Sequence, residues 1–323
     1  MADDGISPAR RRLRKLLRDP QGYLLQSRFA TIRAAGSMLA RWRDAGITRC
    51  AAAAAGRRVG VIVTVHNGAR TVRHALASLA AQTHAALDVV VVDDASTDDT
   101  RDVVDRFAHG DLRFRLLVNE VNRGPYWSRN RALADLAADF VTFLDADDEA
   151  APHRIARQLG FLLGDARLVA CLCSGLRVTP EGQAVSINGR RERMEASTLF
   201  FDRARVLERL GRFDMVRFAG DAEFTARLVA AFGACALGRQ HEVLLTASFR
   251  PDSLTHRGPG AQIWTPGADS LDWRRAISPL RLAYEQSYRQ WHADIVAGKA
   301  SAKLGSMDAP RPFPAPVAML VDA

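Results

Sequence analysis

The sequence predicts an α/β fold with a mostly parallel central sheet and helices on both faces. Short, almost uninterrupted apolar runs, such as VGVIVTV at 59–65 and LDVVVVDD at 87–94, alternate with segments of helical periodicity. Strands that are covered on both faces lose the alternation of apolar and polar residues seen in half-exposed strands. Alternating strands and helices at this spacing are typical of a parallel sheet.

The predicted elements follow in regular order from residue 59. Asp98 is a suitable residue to cap one helix, and Pro125 suits the first turn of another. After residue 167 the pattern loosens, and a hairpin is predicted around the turn TPEGQ. The predicted helices span 69–82, 98–108, 125–137, 202–210 and 221–232, and the strands span 59–65, 87–94, 113–119, 139–145 and 241–249.

These patterns divide the chain into three parts. A basic helical region is predicted at 1–56, an α/β domain at 57–258, and a C-terminal extension at 259–323. The proline-rich end of the extension, DAPRPFPAP, is expected to be a poorly ordered tail.

The composition is that of an ordinary globular protein, with 48% hydrophobic and 25% charged residues among 323. No uncharged apolar run approaches the roughly 18 residues of a spanning helix. The start MADDGISPARRRLRK lacks the apolar segment of a secretory signal. We therefore expect a cytoplasmic protein, either soluble or peripheral at the inner face of the membrane. The four cysteines fit no zinc-binding spacing, and Cys171 and Cys173 are expected to be buried free thiols.

The net charge of +9 is concentrated at the N-terminus, because residues 1–58 contain 13 Arg or Lys and only 4 Asp or Glu. Two interpretations of this basic region stay open. It could be a solvated helical hairpin packed on the main domain, or an arm that binds an anionic membrane surface or an anionic polymer. Nucleic acid is not an expected partner, because few aromatic residues interleave with the arginines and no binding module is recognisable.

The segment VTFLDADDEAAP places four acidic residues within 145–149, where a buried strand ends. Carboxylates held this close repel one another, so a partner must offset the cost. Polar residues also follow the first two strands, at Thr64, His66, Asn67 and Asp94. Because ligands of open α/β sheets bind at the carboxyl ends of strands, these side chains are expected around one pocket.

The glycine-based signatures of nucleotide binding are missing. The segment HNGART lacks the lysine and second glycine of a P-loop, and no G-x-G-x-x-G follows the first strand. Phosphates would therefore need a divalent cation, for which the carboxylates of DADD are suitable hard ligands. An EF-hand is excluded, because positions six and twelve counted from Asp145 are Ala150 and Ala156. The expected cofactor is Mn²⁺ or Mg²⁺.

The sequence resembles the family 2 glycosyltransferases, which have the GT-A fold. Six segments carry the resemblance, in family order over residues 59–256: VIVTVHN, VVVVDDAS, NRGPYWSRNRAL, FLDADD, GDAEFTAR and FRPDSLT. One such motif alone would be weak, whereas six in order are specific. The stretch from RGPYWSRN to DADDEAAPHRIARQ is especially similar to bacterial members associated with surface polysaccharides. The resemblance implies a nucleotide-sugar donor and a glycan or lipid-linked acceptor.

The resemblance also implies a donor-binding role for matching positions. Thr64, His66 and Asn67 would border the nucleotide base, with the His66 ring stacking on it. Asp94 would accept a hydrogen bond from the imide N–H of the base, which suits uracil. Arg129 would lie near the base and the phosphates.

The metal site that the resemblance implies is the DADD segment. Asp145 and Asp147 match the DxD pair, Asp148 stands beside it as a further ligand, and Ala146 belongs to the donor site. The late loop FRPDSLT resembles the segment that closes over the diphosphate, and Arg250 in this loop is expected to contact phosphate oxygens.

Asp221 is the candidate general base, because it matches the second residue of the family's Glu-Asp motif and Arg227 follows at the family's distance. Gly220 stands where the family has Glu, so Glu223 is kept as a reserve candidate. Asp221 could alternatively cap a helix.

These expectations describe a metal-dependent, inverting transferase that uses a nucleoside diphosphate sugar, with a UDP-sugar favoured. Two other functions stay open. Gly220 favours a GT-A-like module that binds nucleotide-sugar or polysaccharide without turnover, and the basic N-terminal region favours a scaffold at the membrane surface.

Overall fold

The computed structural model describes residue 54, residues 56–250, residue 253 and residues 255–320. The basic helices predicted within 1–56 lie almost wholly outside the described residues. Among the helices that are described, each is too short or too polar to span a membrane.

Twelve strands are present among the described residues. In chain order they are β1 (Val59–Val65), β2 (Leu87–Asp93), β3 (Phe114–Val118), β4 (Phe140–Asp145), β5 (Glu149–Ala150), β6 (Ala170–Val178), β7 (Ser186–Ile187), β8 (Glu192–Met194), β9 (Phe200–Asp202), β10 (Leu237–Ser248), β11 (Ile263–Pro266) and β12 (Asp272–Ala276). The helices are α1 (Val72–Ala80), α2 (Thr100–Gly110), α3 (Pro125–Asp135), α4 (Arg154–Leu163), α5 (Arg203–Leu210), α6 (Gly220–Phe232) and α7 (Pro279–Val296).

The main sheet has the order β3-β2-β1-β4-β9-β6-β10-β5, and β8 pairs with β6. Neighbours among β3, β2, β1 and β4 are parallel, as are β6 and β10. The short strands β5, β8 and β9 run antiparallel to their neighbours. The predicted α/β class with a mostly parallel sheet is therefore confirmed.

Hydrophobic cores lie on both faces of this sheet, because alternate strand residues point to opposite sides. On one face, Val61 and Val63 of β1 pack with Leu76 of α1 and Ile155 of α4. On the other face, Ile62 of β1 joins a cluster that contains residues of α3, α5, α6 and α7. The unbroken valine runs of the first two strands therefore reflect burial on both sides.

The C-terminal segment differs from the expected poorly ordered tail. Phe313 is buried and stacks on Trp291 of α7, with ring centroids 5.2 Å apart. Met319 is fully buried in the same cluster as α3 and α6. Arg311 donates a hydrogen bond from Nε to Asp214 Oδ1 at 2.6 Å. The apolar side chains between the prolines therefore cover the helices that pack on this face of the sheet. The composition of the segment did not predict this packing.

The hairpin predicted after residue 167 is present only at its turn. Val178 and Ala184 form an antiparallel bridge around that turn. Strand β7 then leaves the main sheet and pairs in parallel with β12, which also pairs with β11. Cys171 and Cys173 are buried thiols in β6, as predicted.

Candidate active site

The carboxyl ends of the first, second and fourth strands meet at one edge of the sheet. Thr64 on β1 is the register partner of Asp145 on β4. Beyond the end of β2, the Asp94 N–H donates a hydrogen bond to the Val65 carbonyl at 2.8 Å. The sheet thus brings the polar residues predicted at these strand ends to one rim.

His66 and Asn67 form the loop at the end of β1. Asn67 adopts a left-handed backbone with φ of 52°. Its side-chain oxygen accepts a hydrogen bond from Thr97 N at 2.8 Å, and its own N–H donates to Ser96 Oγ at 2.9 Å. His66 Nδ1 lies 2.9 Å from the Asp94 carbonyl, and His66 is exposed. Asn67 therefore ties two loops together, whereas the exposed His66 ring is accessible to a ligand.

Asp94 is buried and organises the segment before α3. Its Oδ1 accepts hydrogen bonds from Asn119 Nδ2 at 2.7 Å, Arg123 N at 3.0 Å and Ser128 Oγ at 3.2 Å. Its Oδ2 accepts from Gly124 N at 2.7 Å. Sequence reasoning assigned Asp94 only to the nucleotide base. In the structure it shapes the segment that leads into α3, and a base could use only the remaining lone pair of Oδ2.

The four acidic residues within 145–149, called the acid cluster below, follow β4. They contact residues of β10 and of the late loop FRPDSLT. Asp147 Oδ2 accepts a hydrogen bond from Arg250 Nη2 at 2.7 Å. Asp148 is buried, and its Oδ1 accepts from Ser248 N at 2.9 Å. The Asp145 side chain is 42% exposed. The predicted phosphate-binding arginine and the predicted metal ligand are therefore ion-paired partners here.

Asp148 is the least solvated member of this cluster. Burial raises the pKa of Asp148 well above its ordinary value, and the negative charges of Asp145 and Asp147 raise it further. The hydrogen bond from Ser248 N acts in the opposite direction. A positive charge entering beside these carboxylates would relieve their repulsion.

The carboxylates at this edge of the sheet are suitable ligands for a divalent cation that is also bound by phosphate. Within the described residues, no three His, Cys, Asp or Glu side chains are grouped so that they alone could hold a metal ion. Mg²⁺, however, is usually held by one or two carboxylates plus substrate phosphates and water. Asp145 and Asp147 supply hard oxygen ligands of that kind at the cleft.

Arg129 lies beneath the acid cluster. Its guanidinium donates a hydrogen bond from Nη2 to Asp145 Oδ1 at 3.0 Å and packs on the rings of Tyr126 and Phe143, at 5.1 and 4.8 Å from their centroids. The residue is buried, and its Nε has no hydrogen-bond partner among the described residues. Arg129 thus orients Asp145, and its remaining N–H is a donor that a ligand could use.

Asp221 lies in the first turn of α6 and is held by Tyr126. The Tyr126 hydroxyl donates a hydrogen bond to Asp221 Oδ1 at 2.7 Å, and the Ala222 N–H donates to the same oxygen at 2.9 Å. The helix-capping position is Ala219, in a left-handed conformation, so Asp221 does not cap the helix. No hydrogen bond is formed by Asp221 Oδ2 within the described part of the chain. This oxygen is placed to receive a ligand hydroxyl.

Tyr126 explains why Gly220 precedes Asp221. A Cβ built on Gly220 would lie 2.9 Å from the Tyr126 ring, closer than side-chain atoms approach in proteins. The Tyr126 ring is itself fixed by stacking on Phe213, with centroids 5.9 Å apart. Gly220 therefore makes room for Tyr126. The sequence contained both residues, but only the fold shows that they compete for the same space.

Glu223 is not a second candidate base, which corrects the reserve assignment. It is fully buried, and its carboxylate accepts two hydrogen bonds from Arg227, at 2.9 and 3.0 Å. His292 Nε2 on α7 lies 3.0 Å from the same carboxylate. Burial alone would raise the pKa of Glu223, but Arg227 and His292 lower it below its ordinary value. Arg227 also donates to the carbonyls of Leu210, Arg212 and Ala302.

The chain is similar to known glycosyltransferases over its first described half. The family model "Glycosyl transferase family 2" matches residues 60–217. The succinoglycan biosynthesis protein ExoU of Rhizobium meliloti is 40% identical over 107 residues, which cover 33% of this chain and 31% of that protein. The Escherichia coli protein named UDP-Glc:alpha-D-GlcNAc-diphosphoundecaprenol beta-1,3-glucosyltransferase WfgD is 34% identical over 105 residues, covering 32% and 41%. The chain matches less than half of the length of these curated relatives.

One solved structure is similar to this chain over more residues than the family model matches. Staphylococcus aureus TarS 1-349, solved in complex with UDP-GlcNAc, superposes with a TM-score of 0.54 at 20% sequence identity. The superposition covers 75% of this chain and 71% of that one. At this identity the match shows the fold alone, which agrees with the parallel strands and two covered faces described above. Residues 60–217 of the chain therefore match the model of glycosyl transferase family 2, and the chain has the GT-A fold.

Proposed function

We propose that the chain is an inverting glycosyltransferase that acts in surface polysaccharide synthesis. It moves a sugar from a nucleoside diphosphate sugar, with UDP-sugar the favoured donor, to a hydroxyl group of a glycan or lipid-linked acceptor. One observation carries the proposal: a continuous series of contacts joins the acid cluster to the candidate base. Arg129 binds Asp145 and packs on Tyr126, and Tyr126 binds Asp221.

The residues support the following reaction. Asp221 Oδ2 takes the proton of the acceptor hydroxyl while that oxygen attacks the anomeric carbon of the donor. The bond between that carbon and the nucleoside diphosphate breaks on the opposite side, so the configuration inverts. Tyr126 and the Ala222 N–H occupy Oδ1 and thereby present Oδ2 to the acceptor. A positioned general base of this kind contributes about 10²–10⁴-fold to the rate.

Donor binding would use the rim and the acid cluster. Thr64, His66, Asn67 and Asp94 would border the base, and Ala146 lies between the two carboxylates that face the cleft. Asp145 and Asp147, supported by Asp148, would hold Mn²⁺ or Mg²⁺. When bound, such an ion neutralises charge on the departing diphosphate. Arg250 contacts Asp147 and is close enough to the cluster to bind a phosphate oxygen as well.

The test is release of nucleoside diphosphate by the full chain from a panel of UDP- and GDP-sugars with Mn²⁺ or Mg²⁺. Asp147→Ala is expected to abolish donor hydrolysis and transfer, whereas Glu149→Ala, an exposed acid two residues away, serves as the matched control. Near-normal turnover of Asp147→Ala with metal present would show that the site is misassigned.

The Asp221→Asn variant tests whether Asp221 acts as the general base rather than in donor binding. This variant is expected to bind the donor with wild-type affinity in calorimetry but to transfer the sugar slowly. Weakened donor binding with intact chemistry would count against the role of Asp221 as base.

The alternative of a non-catalytic binding module has lost its main support. It relied on Gly220, and the Tyr126 ring now accounts for glycine at that position. The alternative of a membrane-surface scaffold depends on residues 1–58, which the structure does not describe apart from residue 54 and residues 56–58. Deleting 1–58 and measuring binding to anionic liposomes at low and high salt tests whether this region makes the protein peripheral to a membrane.

A further inference from the structure

We propose that four arginines beside the candidate active site form a subsite for a phosphate group of the acceptor. This basic cluster consists of Arg177, Arg193, Arg275 and Arg281. The inference rests on the proposed transferase function and adds to it the chemical class of the acceptor.

Separate parts of the chain bring these arginines together. Arg177 lies near the end of β6, and Arg193 on β8 is the register partner of Gly175 on β6. Arg275 comes from β12 of the small sheet, and Arg281 from the first turn of α7. Burial, followed by the charges of Arg193 and Arg177, lowers the pKa of Arg275 to about 10. Residues 175 and 177 of β6 point to the same face of the sheet, so Arg193, which lies opposite Gly175, is on the same face as Arg177.

The cluster forms few direct ion pairs with carboxylates among the described residues. Glu195 is the carboxylate that pairs with it, and both of its contacts, at 3.2 Å each, go to Arg177. The Nη1 atom of Arg193 is buried and has no hydrogen-bond partner among the described residues. The four arginines are half-buried, and guanidinium groups that are partly withdrawn from water without a direct counter-charge would be stabilised by a bound anion.

The cluster extends along the candidate active site. Val178, next to Arg177, is the register partner of Ser248, whose N–H binds Asp148. The charge of Arg177 acts on Asp145 and Asp148. At the other end of the cluster, Arg281 is close enough to respond to the charge of Asp221. The basic cluster therefore runs from the acid cluster to the base, where an acceptor must lie.

The location favours the acceptor over the donor as the source of the phosphate. The donor diphosphate already has the carboxylates of the acid cluster, with their cation, and Arg250. Arg275 and Arg281 come from the segment after the matched family domain, which ends at residue 217. Among the described residues, three of the four guanidinium groups form no direct ion pair with a carboxylate, and a phosphate or diphosphate can contact several of them at once. Guanidinium groups also bind phosphate oxygens in pairs.

The test is ligand-observed saturation-transfer NMR on the full chain saturated with UDP and Mg²⁺. Glucose 1-phosphate is expected to bind, and methyl glucoside and glucuronic acid to bind much more weakly. Arg193→Gln and Arg275→Gln should each raise the dissociation constant of glucose 1-phosphate at least about tenfold, as expected for a lost hydrogen bond to a charged group. Arg274→Gln, an exposed neighbour on β12, should leave the constant unchanged.

A further variant and a lipid probe complete the experiment. Arg193→Lys keeps the charge and is expected to give an intermediate constant, which distinguishes lost phosphate binding from misfolding. Farnesyl diphosphate in neutral detergent micelles shows whether the phosphate belongs to a lipid-linked or a free acceptor, since stronger binding than glucose 1-phosphate indicates the lipid.

Three results would overturn the inference. These are failure of glucose 1-phosphate to bind the UDP-saturated chain, equal binding of glucuronic acid, and an equal loss in Arg274→Gln. Failure of the proposed transferase function would instead appear as no nucleoside diphosphate release from any donor, with Arg193-dependent phosphate binding intact.

Discussion

The Tyr126 hydroxyl donates a hydrogen bond to Asp221 Oδ1 over 2.7 Å, and the same ring fills the space beside Gly220. Burial and the charge of Asp221 raise the pKa of Tyr126 well above its ordinary value. Tyr126 therefore stays protonated and acts only as a donor to Asp221. One side chain thus fixes the orientation of the candidate base and determines which residue can precede it.

Replacing Tyr126 with Phe tests the first of these roles. We expect kcat to fall by about tenfold, since a hydrogen bond of this kind contributes roughly 0.5–1.5 kcal/mol, while KM for the donor stays unchanged. Steady-state kinetics with varied donor measure both constants. Tyr284→Phe is the matched control, because Tyr284 donates to Asp214 at 2.7 Å in a buried pair that lies outside the candidate site. An equal loss of kcat in both variants would mean that Tyr126 has only a structural role.

Replacing Gly220 with Ala tests the second role. Alanine is ordinarily preferred to glycine in helices by up to about 1 kcal/mol. At Gly220 the added Cβ would meet the Tyr126 ring, and overpacking of this kind costs about 1–3 kcal/mol. We expect urea denaturation to show net destabilisation. Gly110→Ala is the control, because that helical glycine has no atoms within 4 Å of the added Cβ. Stabilisation by Gly220→Ala would disprove the steric explanation.

The buried Glu223–Arg227 pair should stabilise the fold far more than an exposed pair of the same spacing. Glu223→Gln leaves the Arg227 charge without its counter-charge and is expected to cost about 3–5 kcal/mol of unfolding free energy. Glu285→Gln breaks an exposed pair with Arg289 and is expected to cost at most about 0.5 kcal/mol. Denaturant titrations of both variants measure the difference, and equal losses would contradict a structural role for Glu223.

The Glu223–Arg227 pair should also make the unfolding free energy depend on pH under acidic conditions. The folded-state pKa of Glu223 lies below its ordinary value of 4.5. The ionised carboxylate therefore stabilises the fold above that ordinary value, and this contribution is lost as the pH falls through the lowered pKa. The unfolding free energy of the wild type should thus decline more steeply below pH 4.5 than that of Glu223→Gln. Parallel profiles would show that Glu223 is not the group responsible.

The Arg250–Asp147 contact predicts a defect in donor binding. Arg250→Gln removes a charged partner of phosphate oxygens, so we expect KM for the donor to rise by about 10–100-fold. Transfer assays with varied donor at fixed Mg²⁺ measure this change. Arg257→Gln, an exposed arginine of the same loop, is the control and should keep wild-type KM. An unchanged KM in Arg250→Gln would remove Arg250 from the donor site.

The sequence by itself predicted the strands β1 to β4 and β10, five of the six helices before β10, and the position of the acids at a strand end, but it missed helix α4 and the short strands β5, β8 and β9. These features are local, because valine runs and helical periodicity reflect which residues of a single strand or helix are buried. The resemblance also predicted the family whose model matches residues 60–217, and four of the six short segments lie within that match, in a fixed order along the chain.

Only the tertiary structure decided which residues act together. Glu223 and Asp221 are two residues apart, yet Glu223 is fully buried against Arg227 and His292, while Asp221 is half-buried and is bound by Tyr126. Tyr126 and Gly220 are distant in sequence but compete for one volume. The proline-rich end covers the core through Phe313 and Met319. Each of these relationships depends on contacts between distant segments, which periodicity and motif spacing do not encode.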